Sequence, residues 1–262
     1  VSVSIPDLTV SSTFMYNIIG MIKNRLIKTV SALSVAVAFL QMAAGCSSVI
    51  PETGCATVNY TFEAVLDPDM VVLTKGGSET PAVSADRCVM EIFYNGVSFV
   101  RKVEPVVNGI ATITVPVVAG RTYDIAFWAD KAGCYNAESL KNVTYAGTYD
   151  YSDDSMDAFC VLIPKITLAQ NGVVLSVTLK RPLAKVTVTN APAQAVKFKA
   201  PSSYNVLEDL VSPTLKDFEY SNSSTMYLFV PATKTTVDMT IGSTSCTSIP
   251  IMRNYKTNVI IN

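Results

Sequence analysis

The stretch TVNYTFEAVL, Thr57 to Leu66, places apolar or aromatic side chains at Val58, Tyr60, Phe62, Ala64 and Leu66 and mostly polar ones between them. Successive side chains of a strand point to opposite faces, so a period of two describes a strand with one face buried and the other in solvent. Related patterns recur in RCVMEIFYNG (Arg87 to Gly96), GIATITVPVV (Gly109 to Val118) and TYDIAFWAD (Thr122 to Asp130). They continue through MDAFCVLIP, GVVLSVTLK, LAKVTVTN, TMYLFVPA, KTTVDMTI, TSIPIM and YKTNVIIN, with Gly, Pro, Asn and Asp breaking the runs at short intervals. This predicts an all-β, antiparallel β-sandwich. Helical signals are confined to NAESLKNV (Asn136 to Val143) and SYNVLEDLV (Ser203 to Val211), each with a polar residue to cap its start, so one or two short helices are expected.

Upstream of the strands the chain changes character. Met21 opens the basic stretch MIKNRLIK, an uncharged run follows from Thr29 to Leu40, and Ala43, Ala44 and Gly45 lead into Cys46. Positive, apolar, then small is the order of a secretory signal peptide. The apolar run is short of the roughly 20 residues a membrane-spanning helix needs. Ala43, Ala44, Gly45 and Cys46 resemble a bacterial lipobox, in which signal peptidase II cuts before the cysteine and the thiol receives lipid. Several acyl chains on Cys46 give stable anchoring, which a single chain does not. Ser47 is not the aspartate that retains lipoproteins in the inner membrane, so the outer membrane is the expected location. Residues 1–45 are therefore read as an upstream leader plus signal peptide that is removed, with the natural start at Met21. Residues 46–56 are read as a lipidated tether, and 57–262 as a single β-sandwich domain.

Composition removes whole classes of chemistry. Among 262 residues there is no histidine, which excludes Ser-His-Asp and Cys-His triads and His-containing zinc sites. Charged residues make up 16% and the net charge is -1, so a nucleic-acid partner is not expected. No paired-carboxylate or Ser-Lys motif stands in a recognisable context, and no catalytic residue, metal site or cofactor is assigned. With Cys46 lipidated, Cys55, Cys88, Cys134, Cys160 and Cys246 remain, an odd number without a CxxC spacing. Mostly unpaired thiols buried as small apolar groups fit best.

Three features invite a functional reading. The acidic run YDYSDDSMD (Tyr149 to Asp157) lacks the glycine and distal glutamate of a calcium loop and reads as a solvated loop. Asp154-Ser155-Met156 resembles the short sequence that Bacteroides-type bacteria glycosylate, which makes Ser155 a candidate O-glycosylation site. Trp128, with Tyr123, Tyr135, Tyr145, Tyr149 and Tyr151 nearby in sequence, is either a ligand-facing aromatic for sugars or a core residue.

The strings YDIAFWADKAGCYNAESLKNV, DAFC, LKRPLAKVTV, YLFVPATKTTVDMTI and IPIMRNYKTNVIIN, in that order, resemble the fimbrillin-like (FimA/Mfa-like) lipoproteins of Bacteroides and its relatives, the subunits of type V pili. Residues from about Thr57 to Asn262 resemble the amino-terminal β-sandwich of that group, with its Greek-key, transthyretin-like topology. The resemblance implies a non-enzymatic pilus subunit or adhesin, surface-exposed on the outer membrane or in the fimbrium. Its partners would be other pilus subunits, joined by strand donation, and host or bacterial surface glycans or proteins. Polymerising subunits of the family lose an amino-terminal segment after a basic residue, yet Arg87 and Arg101 both lie in strand patterns. Relatives also continue past the R-N-Y-K-T-N strand into a second domain and a donor segment, so a shortened gene, an anchor-like or capping subunit, or a non-polymerising surface lipoprotein would each account for the end of this sequence. The alternative is an outer-membrane glycan-binding lipoprotein of the polysaccharide-utilisation type, using Trp128.

Overall fold

The structure, a computed structural model, describes residues 56–72, 78–80, 83–146, 154–189, 195–221 and 225–261. The expected leader, the lipobox Ala43, Ala44, Gly45 and Cys46, and the tether as far as residue 55 lie outside the described residues.

The strands are, in chain order, β1 (Thr57–Leu66), β2 (Met70–Val72), β3 (Ser78–Glu79), β4 (Arg87–Tyr94), β5 (Val97–Pro105), β6 (Ile110–Val118), β7 (Arg121–Asp130), β8 (Tyr135–Asn136), β9 (Val143–Tyr145) and β10 (Phe159–Leu168). They continue with β11 (Val173–Leu179), β12 (Leu183–Thr189), β13 (Ala195–Pro201), β14 (Ser203–Asn205), β15 (Leu210–Val211), β16 (Leu215–Ser221), β17 (Thr225–Phe229), β18 (Thr235–Ile241), β19 (Thr244–Ile251) and β20 (Tyr255–Ile260). The all-β expectation is met; the one helical element among the described residues is a 3-10 turn at Asp154–Met156.

The strands form five sheets, ordered β11-β1-β6, β10-β7-β4-β5, β17-β12-β20-β2-β3, β16-β13-β18-β19 and β15-β14-β9-β8. Two apolar cores organise them. The first lies between β11-β1-β6 and β10-β7-β4-β5, where Tyr60, Phe62, Ile113 and Val115 meet Met90, Ile92, Ile125 and Phe127. The second takes the opposite face of β4 and β7, with Val89, Phe93, Ala126 and Trp128, and adds Leu183, Val186, Phe198, Phe218 and Phe229 from the remaining sheets. Within the β10-β7-β4-β5 sheet, the two central strands β4 and β7 thus form a middle layer with both faces buried. That is why β4 and β7 carry nearly continuous apolar runs where β1 and β6 alternate.

Local sequence explains the turns. Asn95-Gly96 joins β4 to β5 with both residues at positive φ (52° and 74°), the backbone a tight hairpin demands and that asparagine and glycine tolerate best. Asn108-Gly109 repeats the device between β5 and β6, at 51° and 76°.

Both expected helices are absent. NAESLKNV and SYNVLEDLV become the turns and short strands of one small sheet, in which β14 pairs with β9 and β15, and β9 with β8. Long-range polar contacts override helix propensity. The Leu140 amide donates to Glu91 Oε2 at 2.7 Å, Arg101 Nη2 donates to the Ala137 carbonyl at 2.8 Å, and Val206 N donates to the Leu140 carbonyl at 2.8 Å. With Ala137 and Leu140 buried, the loop is held open against the middle sheet.

Candidate functional site

The first described strand occupies a central position. β1 is antiparallel to β6 on one side and parallel to β11 on the other, and sends Val58, Tyr60, Phe62, Ala64 and Leu66 into the first core. The slot between β6 and β11 is therefore filled by the chain's own β1. Arg87 and Arg101, the arginines raised as processing points, are held in strands. Arg87 binds Asp130 at 2.6 Å and the Tyr135 carbonyl at 2.9 Å, while Arg101 binds the Ala137 carbonyl.

A second feature lies along one side of the first core, where β10 and β11 are the edges of their sheets. Among the described residues the backbone joins them through a bridge at one end, Cys160 to Lys180, with N···O distances of 2.8 and 3.0 Å. Beyond it the edges face each other across half-buried Val161, Ile163 and Ile166 of β10 and Val173, Leu175 and Val177 of β11. This is an apolar side with backbone hydrogen-bonding groups on both rims, the chemistry that accepts an added strand.

A cleft of about 730 Å³ opens where β13 and β18 part beyond the Phe198–Met239 pair. Four of its charged residues pair across the strands, Lys197 with Glu219 at 2.9 Å and Lys199 with Asp217 at 3.4 Å, all well exposed, and Asp238 accepts from the Ser248 amide at 2.7 Å.

The residues singled out for function turn out to be structural. Trp128 is fully buried, edge-on to Tyr135 at 5.2 Å, and its indole N–H donates to Asp130 Oδ2 at 3.1 Å. Asp130 in turn binds Arg87, so the W-A-D string is a core tryptophan tied to an ion pair. Trp128 does not face a ligand, and Tyr123, Tyr135 and Tyr145 are also buried. Tyr149 and Tyr151 lie outside the described residues. Ser155 is 4% exposed within the 3-10 turn, which withdraws its hydroxyl from the surface position that O-glycosylation needs.

The described part of the acidic run is likewise not a solvated loop. Asp157 is fully buried and binds Arg181, itself 2% exposed. Asp154 accepts hydrogen bonds from Lys185 Nζ at 2.8 Å and Tyr227 Oη at 2.7 Å. Burial pushes the Asp157 carboxyl above its ordinary range, opposed by the Arg181 guanidinium. Arg181 opens the R-P-L-A-K string and also donates to Asn254 Oδ1 of R-N-Y-K-T-N, so the motifs that carried the resemblance meet at one buried arginine. Sequence reasoning missed this cluster because its members are scattered; the arginine directly before Pro182, between two strand patterns, was the available signal.

Cys88, Cys160 and Cys246 are not in disulfides, and Cys88 and Cys134 are buried. Burial pushes the Cys88 and Cys160 thiols up to about 12, which leaves them protonated and unreactive at neutral pH. Among the described residues no group of three potential ligands could hold a metal ion, and no helix is long and apolar enough to cross a membrane.

Residues 52–262 match the profile of a family of unknown function (DUF6562), and the chain belongs to that family. No curated protein matches the chain. Among solved structures it is similar to a DUF1812 protein of Bacteroides thetaiotaomicron that carries a provisional description as polysaccharide-binding. That match has a TM-score of 0.51 and 8% identity over 78% of this chain and 90% of the other, a likeness of fold. It is also similar to a fimbrial assembly protein of Parabacteroides distasonis, with TM-score 0.47, 10% identity, and 78% and 92% of the two chains covered. The fimbrial anchor protein Mfa2 of Porphyromonas gingivalis matches with TM-score 0.46 and 14% identity over 70% and 78% of the two chains.

Proposed function

We propose that this chain is a non-enzymatic, fimbrillin-like surface lipoprotein: a pilus subunit or pilus-associated adhesin, lipidated at Cys46, carried to the outer membrane and joined to other pilus subunits by strand exchange. Residues 1–45 are the part removed on export, and the domain from 57 onward is the part displayed.

The observation that carries this reading is the position of β1. A strand close to the lipidation site lies in the middle of its sheet, with a ladder on each side and five side chains in the core. A neighbour's segment entering the same slot would need the same two ladders and the same alternating pockets, and those requirements give strand exchange its affinity and register. The absence of histidine and the engagement of Asp130, Asp154 and Asp157 in ion pairs argue against an active site. The glycan-capturing alternative rested on Trp128 as an exposed platform, and that ring lies in the core.

Two measurements test the proposal. Metabolic palmitate labelling should mark the wild-type chain and not C46A, and protease added to intact cells should digest the protein; an unlabelled chain or a protected one rejects the surface location. A chain lacking residues 46–66 should bind a synthetic TVNYTFEAVL peptide and recover its β circular dichroism. Failure to bind the peptide rejects strand exchange at this slot.

A further inference from the structure

The backbone ladders that hold β1 and the alternation of its side chains both repeat every two residues, so neither by itself separates one register from another slipped by two. What selects a register, or one donor segment over another, has to be a contact that does not repeat along the strand. The loop from 169 to 172, which joins β10 to β11, makes two kinds of contact with β1. Gly172 N donates to the Asn59 carbonyl at 3.0 Å, and Asn171 Oδ1 accepts from the Asn59 amide at 2.8 Å. Both use only the backbone of β1, which any residue but proline supplies. The amides of Ala169 and Gln170 are different: each donates to the Tyr60 hydroxyl at 3.0 Å. Here the acceptor is a side-chain oxygen at the end of a buried ring, and serine or threonine would carry its hydroxyl a whole ring closer to the strand.

A second contact that does not repeat lies four residues further on, on the same face. Ala64 is fully buried and stands opposite Ala111 of β6, so two small side chains meet where the other core positions of β1 hold larger ones. A bulkier group at 64 would have to displace its neighbours. Slipped by two in one direction, β1 would bring Val58 beneath the loop and Phe62 to the Ala64 position. Slipped the other way, it would bring Phe62 beneath the loop and Leu66 to the Ala64 position. Either slip leaves the Ala169 and Gln170 amides without their acceptor and overfills the small site.

We infer that these two contacts select what enters the β1 slot: the donor segment it accepts carries a tyrosine on its core-facing side and a small residue, alanine or glycine, four positions later. The Ala169 and Gln170 amides read the tyrosine hydroxyl, and Ala111 reads the small residue. The inference rests on the strand exchange proposed above and adds the chemistry of the donor. A segment that alternates apolar and polar residues but lacks the tyrosine would make the same ladders and leave the loop unpaired.

The test uses the full chain carrying F62D. An aspartate at 62 would have to enter the core beside Phe127, so the chain's own β1 gives up the slot to an added peptide. Followed by fluorescence anisotropy, labelled TVNYTFEAVL should bind. Its Y60F version should bind about tenfold more weakly for two lost hydrogen bonds, and its A64L version weaker by about tenfold or more. Hydrogen exchange gives a readout that packing alone would not move. TVNYTFEAVL should protect the Ala169 and Gln170 amides and the Y60F peptide should not, while both protect the β6 amides that face the slot. The full chain with the single change Y60F, its β1 still in place, should lose protection at the same two amides. A Y60F or A64L peptide that binds as tightly as TVNYTFEAVL overturns the inference and leaves strand exchange standing. A chain that takes up none of the peptides rejects strand exchange, and the inference with it.

Discussion

Arg181 and Asp157, whose side chains are both fully buried, meet through three hydrogen bonds of 2.8 to 2.9 Å. The remaining guanidinium nitrogen, Nη1, reaches the carbonyls of Asp67, Pro68 and Asp69 and the side chain of Asn254, at 2.8 to 3.3 Å. The guanidinium also lies 4.5 Å over the Phe159 ring. Leu179 belongs to the first core and Leu183 to the second, so this arginine ties down the point where the chain passes from one to the other.

Replacing Arg181 with Met should therefore be severe. It strands the Asp157 carboxylate and leaves three carbonyls without their donor, for a loss of about 3–5 kcal/mol in urea unfolding. R181M/D157L should recover part of that loss, because the buried charge is gone, but only part, because the carbonyls remain unpaired. Full recovery in the double variant would mean that the backbone contacts of Arg181 contribute nothing.

Asp154 sets a pH dependence of definite sign. Burial pushes its carboxyl up, but the hydrogen bonds from Lys185 and Tyr227 together pull it down further, to a value below the ordinary 3.8. A carboxyl depressed in the folded state contributes stability that is present above its unfolded pKa and lost as pH falls through the folded value. The stability difference between the wild type and D154N, of order 1–3 kcal/mol at neutral pH, should shrink as the pH drops below 3.8. Asp130 and Asp157 have the opposite sign: burial raises both carboxyls, so their contribution is fullest at acid pH and lost as pH rises through their folded values. Denaturant titrations of wild type and D154N from pH 7 to pH 3 read the difference directly.

Trp128 yields a prediction that separates packing from recognition. W128A opens a large cavity beside Tyr135 and Phe229 and should cost about 3–5 kcal/mol, with W128F costing less. Both variants remove the indole donor to Asp130. Thermal unfolding followed by circular dichroism should rank them wild type, W128F, W128A. A W128A protein as stable as the wild type would contradict the buried position of the ring.

Much of the fold was legible because period two is a local signal. β1, β6 and β18 show it openly, and β4 and β7 show it in the form that a sheet buried on both faces takes. β13 and β16 escaped notice although Val196, Phe198 and Ala200 alternate with lysines and Phe218 and Tyr220 with acids; the charges masked a usable pattern. The small sheet of β8, β9, β14 and β15 was not legible at all. Its form depends on Glu91 and Arg101, which lie 49 and 36 residues from the backbone groups they bind. The acidic run misled for the same reason, since Arg181, Lys185 and Tyr227 are distant in sequence. Nor does the run IAFWAD by itself distinguish a tryptophan on a binding face from one inside a middle layer; only the strands packed on its second face decide that.

Glu91 tests whether that distant contact is what turns an expected helix into a pinned loop. Its carboxylate is 3% exposed and accepts from the Leu140 amide at 2.7 Å, while Arg101, its cross-strand neighbour, holds the Ala137 carbonyl. E91A leaves the Leu140 amide without its acceptor, at a cost of about 1–3 kcal/mol. E91Q keeps an acceptor in place and should cost less. Hydrogen exchange followed residue by residue should show the loss concentrated at Leu140 and the neighbouring loop, with amides of β1 and β6 keeping their protection. Uniform loss across both cores would make Glu91 a contributor to global stability instead, and the short sheet would owe its form to packing of Ala137 and Leu140 alone.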